Sequence, residues 1–176
     1  MKPVRVVFAT IVVGVVAAGL GLAARAQPAD ELSGTISATH TITRDTRLVG
    51  DVTCTVAGAP CIQIAASDVS LRLEGFSITG RADAATGCAG GQTNGEHGIG
   101  IVGQQGVDVR GPGVVQRFRG HGILVSGGSN RVGVRQVTMS TNCLSGIIIT
   151  GGASDNDLEA NIAARNGNNG APCGGI

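Results

Sequence analysis

The sequence predicts an all-β chain: a right-handed single-stranded parallel β-helix, a solenoid of about five coils, preceded by a signal peptide. Two observations carry this. The first is a restart every 24 residues, at Gly98-Ile99-Gly100-Ile101, Gly122-Ile123-Leu124-Val125 and Gly146-Ile147-Ile148-Ile149. A fixed period of this size marks units that bury their apolar face only when a neighbour stacks on them. The second is three short stretches of alternating apolar and polar residues per period, divided by turns, with no i, i+3, i+4 spacing anywhere after the leader.

The elements follow in order. Lys2 and Arg5 precede an apolar run from Val6 to Leu22, and Ala24-Arg25-Ala26 forms a small-x-small cleavage site before Gln27. A membrane anchor is the competing reading. The run lies near the lower length limit for a span and the cleavage site follows it directly, so residues 1–26 are expected to be removed, leaving a domain over 27–176. Thr35 to Thr43 alternates weakly and suggests a first strand. The pattern firms from Leu48 and Val52. It continues as Ile62 and Ile64, then Val69, Leu71 and Leu73, then Phe76 and Ile78.

Aligned on the period, Ile62, Ile99, Ile123 and Ile147 share one position, and Ile64, Ile101, Val125 and Ile149 another. The second strands align as Val69/Leu71, Val107/Val109, Val132/Val134 and Leu158/Ala160. The third align more loosely, as Phe76/Ile78, Val114 with Phe118, Val137/Met139 and Ile162/Ala164. Like residues on successive coils imply inward columns about 4.8 Å apart. The abundance of glycine, 30 residues, is expected to serve corners with positive φ. The period breaks between Gly80 and His97, where an inserted surface loop carries Cys88. A smaller insertion, Asn168 to Gly174, carries Cys173, and Gly175-Ile176 reads as the start of a further coil, so the domain looks truncated or uncapped at its C-terminal end.

Composition narrows the function classes. Without residues 1–26 the chain holds ten basic and twelve acidic residues, a net charge of −2, which provides no basic face for nucleic acid. Lys2 is the one lysine, so the mature chain has no lysine base or Schiff-base former. Only Phe76 and Phe118 remain as aromatics, too few for a sugar- or base-stacking platform. After signal removal no segment is apolar enough to cross a bilayer. Five cysteines in an exported chain favour disulfides, and their spacing is not that of a zinc site. Cys143 and Cys173 precede Gly146 and Gly175 at one corner of adjacent coils, which suggests one pair; Cys54 and Cys61 flank a turn and suggest a second. Cys88 would then be left over, with pairing to Cys61 the alternative.

The run Gly50-Asp51-Val52-Thr53-Cys54, the stretch from Ala66 to Gly80 and the Gly-Ile starts with their Gly-Gly-Ser-Asn turns resemble exported bacterial right-handed parallel β-helix repeat proteins of the pectin-lyase-like fold. The resemblance spans roughly residues 42–176. It implies the fold, not an activity: such proteins include polysaccharide lyases and hydrolases, nitrous-oxide-reductase maturation proteins and many of no known activity. Gly120-His121-Gly122 is similar to a catalytic-site motif of polygalacturonases, and Glu96-His97-Gly98 precedes it by one period. His97, Arg117, Arg119 and His121 are therefore the candidate catalytic residues, for a basic corner facing an acidic polysaccharide. The clustered aspartates that inverting hydrolysis requires are missing before His121. Asp155, Asp157 and Glu159 alternate and could chelate calcium, whereas Arg131 and Arg135 one coil earlier offer ion pairs instead. No cofactor is implied. The expectation is a secreted or periplasmic, non-catalytic structural or binding module, its partner a polysaccharide or envelope component; the alternative is a fragment of a polysaccharide lyase or glycoside hydrolase.

Overall fold

The computed structural model describes residues 28–82, 88 and 95–167. Residues 1–26, expected to be a signal peptide, most of the inserted loop, Asn168 to Gly174 and the chain end fall outside them. The described residues are all-β, with no helix, in thirteen strands. These are β1 (Asp30–Ile36), β2 (His40–Ile42), β3 (Thr46–Cys54), β4 (Ile62–Ile64), β5 (Ser70–Arg72), β6 (Ser77–Thr79) and β7 (Ile99–Val102). They continue as β8 (Asp108–Gln116), β9 (Ile123–Ser126), β10 (Gly133–Ser140), β11 (Ile147–Ile149), β12 (Asp157–Glu159) and β13 (Ile162–Ala164). The first described strand, β1, starts before Thr35, and Thr35 to Thr43 is split by a turn into the end of β1 and all of β2.

Two sheets result, and every strand pair in them is parallel. One follows the order β1-β3-β5-β8-β10-β12, with β6 and β13 beside that path, and the other the order β11-β9-β7-β4-β2. Parallel neighbours require a crossover between them, and here the crossover runs through the other sheet. In the smaller sheet Ile62, Ile99, Ile123 and Ile147 lie in register, as do Ile42, Ile64, Ile101, Val125 and Ile149. Ile62, Ile99 and Ile123 are fully buried. They join one continuous core with Leu71, Val109 and Val134 of the larger sheet.

The larger sheet departs from the sequence alignment in two places. Leu158 pairs with Val134, not with Val132, and the residue facing Val132 is Asn156. The third-strand column is Ile78, Val115, Met139 and Ala163. Val114 and Ile162 point outward beside Thr138, and Ile162 is 59% exposed. Val134 to Leu158, Val115 to Met139 and Met139 to Ala163 each keep the 24-residue step, and left-handed residues recur at the corners with the same step. Gln136 and Ala160 have φ of 57° and 54°, and Arg117, Thr141 and Arg165 have 59°, 52° and 54°. Corners of positive φ are thus occupied by ordinary L-residues as well as by glycine. The glycines that open the Gly-Ile starts answer a different need. A Cβ on Gly122 would sit 2.5 Å from the carbonyl oxygen of Gly146 and 2.8 Å from Asn142 Nδ2, so adjacent windings approach too closely there for any side chain.

A left-handed L-residue costs about 1–2 kcal/mol, and the residue that follows it repairs the ladder. Asn142 Oδ1 accepts the Phe118 N–H, Asn156 Oδ1 that of Val132, Asn161 Oδ1 that of Val137 and Asn166 Oδ1 that of Asn142, each at 3.0 Å. On the donor side, Asn142, Asn161 and Asn166 Nδ2 donate to the carbonyls of Val115, Val134 and Met139. Each carboxamide replaces the backbone bonds that the corner breaks. Asn161→Ala leaves the Val137 N–H and the Val134 carbonyl without those bonds and is expected to cost about 2 kcal/mol, read from urea unfolding.

Disulfides join Cys54 to Cys61 and Cys88 to Cys143, with Cα–Cα distances of 5.9 and 5.2 Å. The second corrects the expected Cys143–Cys173 pair. The inserted segment carries Cys88 against the corner of a later winding, where it packs with Ala82 and Cys143. Cys173 lies outside the described residues. Both bonds suit an oxidising compartment. Among the described residues, no helix is long and apolar enough to cross a membrane.

Candidate functional site

The corner that precedes the smaller sheet gathers the candidate histidines. Three segments stack there: Glu96-His97-Gly98, Gly120-His121-Gly122 and Leu144-Ser145-Gly146. Backbone bonds tie them, from Gly98 N to His121 O at 3.0 Å, Gly120 N to Glu96 O at 2.9 Å and Gly122 N to Ser145 O at 3.0 Å. The imidazoles of His97 and His121 stack with centroids 5.3 Å apart and planes 22° apart. His97 Nδ1 accepts the N–H of His121, and His121 Nδ1 accepts the N–H of Ser145, each at 3.1 Å. An Nδ1 that accepts carries no proton, so both neutral rings are Nε2–H tautomers. His97 is buried and His121 half-buried. Burial, reinforced by the His97 ring, pushes the His121 pKa down to about 4.

Beneath the stack lies Glu96, a carboxylate only 4% exposed. Arg81 binds it through Nε at 3.1 Å and Nη2 at 2.6 Å, and the Gly58 N–H donates to it at 3.0 Å. Burial works to raise its pKa. The bonds from Arg81 and Gly58 and the charges of Arg81 and Arg119 outweigh this and hold it below the ordinary carboxylate value. Arg81 and Glu96 bracket the inserted segment, so their ion pair closes its neck. Of the other two candidates, Arg119 lines a small void with Glu96, His97 and the Cys54–Cys61 disulfide, and the void has no room for a water molecule. Arg117 Nε donates to the carbonyl of Ala82 at 3.1 Å. The structure therefore brings His97, His121 and Arg119 to one corner, where their surroundings are packed. The Nδ1 atoms that a general base would use already hold backbone bonds.

The acidic candidates are not gathered around a common point. Asp155 occupies a left-handed corner with φ of 52° and accepts from Ser154 Oγ at 3.3 Å. Asp157 and Glu159 lie on β12 and meet Arg135, at 2.7 and 3.4 Å. Arg135 also binds Asp108 at 2.9 Å. Arg131 reaches Gln105 at 3.5 Å instead of the acids. Among the described residues no three His, Cys, Asp or Glu side chains converge as a metal site would need. Asp157 and Glu159 thus follow the ion-pair reading through Arg135, whereas Asp155 meets Ser154.

The sequence reading missed the pattern of which Arg135 is part. Arg47, Arg72, Arg110 and Arg135 form one outward column of the larger sheet, bounded by Glu31 and Glu159. Its signal in the sequence is an arginine in the same strand of four successive windings, Arg47, Arg72, Arg110 and Arg135. Asp108 and Asp157 stand one residue earlier in the same register. Arg47 meets Glu31 at 2.5 Å, Arg72 meets Glu74 at 3.5 Å and Arg110 meets Asp108. These pairs are exposed and contribute little to stability. They do neutralise the arginines locally, so the column is not a cationic rail. Gln136 and Glu159 line an open groove beside Arg110 and Arg135.

No protein-family model, curated protein or solved structure matches this chain.

Proposed function

We propose that the chain is an exported right-handed parallel β-helix repeat protein, secreted or periplasmic, that serves as a non-catalytic structural or binding module. The parallel registers at a 24-residue step and the two disulfides support the exported solenoid. One observation carries the non-catalytic reading: the polar groups at the candidate corner are engaged in tying windings together. His97 and His121 hold backbone amides, and Glu96 holds Arg81 and Gly58. A partner, a polysaccharide or another envelope component, would meet the outward face of the larger sheet. Its ordered guanidinium and carboxylate groups suit hydroxyl-rich or mixed-charge polymers better than a polyanion.

The alternative is a lyase or hydrolase acting on acidic polysaccharide, and it would require at least one imidazole Nδ1 to leave its amide. Incubation of the purified, oxidised chain with polygalacturonate and with alginate separates the two readings. The expected result is no rise in the absorbance of unsaturated product and no new reducing ends. Turnover that is lost in His121→Ala would overturn the proposal.

A further inference from the structure

We propose that the stacked His97–His121 pair is an acid-sensitive latch: protonation of the imidazoles releases the bonds that tie residues 97, 121 and 145 together and opens this corner locally, while the neighbouring corners stay closed.

The geometry supplies the reason. Both amide bonds end on an imidazole Nδ1 lone pair. An imidazolium has no lone pair, and its new Nδ1–H would point at the amide N–H that it formerly accepted. The rings are stacked at 5.3 Å, so a charge on one opposes a charge on the other. The surrounding charges give no relief. Glu96, the carboxylate of this corner, is engaged by Arg81 and the Gly58 amide, and Arg81 and Arg119 add positive charge beside His97. Arg117 lies one winding away on the Ala82 carbonyl. In the opened form the rings meet water and bind protons at their ordinary pKa, so acid favours opening. The low pKa of His121 is the same effect seen from the closed side.

Elsewhere the same task falls to carboxamides, and to the carboxylates of Asp45 and Asp51, which accept the amides of Ser70 and Ser77 at 2.8 Å. Asn142, Asn156 and Asn161 take up backbone amides across the same 24-residue span. Only the Glu96–Ser145 corner uses histidine for it among the bonds described, so lability in the range where imidazole titrates is confined there.

Amide hydrogen exchange of the full oxidised chain tests this, compared at pH 7.5 and pH 4.5 after correction for intrinsic rates. The amides of His121 and Ser145 are expected to lose roughly ten- to seventyfold in protection. Those of Val132 and Val137, held by Asn156 and Asn161, should keep theirs. His121→Asn, which keeps an acceptor near the Nδ1 position without a titrating group, should abolish the loss at Ser145. Equal behaviour of all four amides in the unsubstituted chain would overturn the latch, whether all stay protected or all lose protection together. That comparison decides the matter even where the variant fails to fold. A pH-dependent loss at Ser145 that survives in a folded His121→Asn would overturn it as well.

Discussion

Ile123→Ala is expected to cost about 4 kcal/mol, near the upper end for a buried aliphatic truncation. Ile123 is fully buried and lies in register between Ile99 and Ile147. Truncation removes three carbons from the middle of a column whose neighbours are fixed by parallel ladders on both sides. The hole cannot close by local collapse, because moving Ile99 or Ile147 inward would break strand pairs β7–β9 or β9–β11. Urea unfolding of the oxidised protein measures the cost, with Ile162→Ala as the control. Ile162 is 59% exposed, and its truncation should change stability by less than about 0.5 kcal/mol. Similar losses in the two variants would mean that the isoleucine column is not a rigid core.

Removing the Cys88–Cys143 bond, by Cys88→Ser with Cys143→Ser, is expected to cost about 4 kcal/mol, against about 2.5 for the equivalent change at Cys54 and Cys61. The bonded residues are 55 apart in the first case and 7 in the second. A longer closed loop removes more freedom from the unfolded chain. Urea midpoints of the two double variants read the difference. The reverse order, with Cys54–Cys61 the costlier loss, would contradict the entropic account.

Columns with a like residue at every repeat could be read from the sequence. Ile62, Ile99, Ile123 and Ile147 announce their stacking because glycine precedes all but the first, and the folded chain keeps that register. The larger sheet was harder, because its phase depends on backbone states that residue type does not reveal. Gln136 and Ala160 adopt the left-handed state without being glycine at the corner that precedes the third strand, so residue type does not give that strand's phase; Val115, not Val114, keeps the 24-residue step to Met139. Asn142 and Asn166 stand one period apart, and that repetition was a usable sign of the carboxamide bonds. The partner of Cys143 was beyond reach, since an inserted segment has no period to say where Cys88 returns. At the site, the pairing of the two histidine corners was legible. The purpose of their nitrogen atoms was not, because it depends on an amide one winding further on.

The striped face of the larger sheet has a consequence for how the molecule meets others. Guanidinium and carboxylate alternate within a few ångströms, so their potentials cancel beyond about one Debye length, roughly 8 Å at physiological salt. Approaching molecules are therefore neither drawn in nor turned away from afar, and encounter rates at this face should barely respond to added salt. Recognition there depends on touch: a partner must match the spacing of the stripes before it gains anything from them.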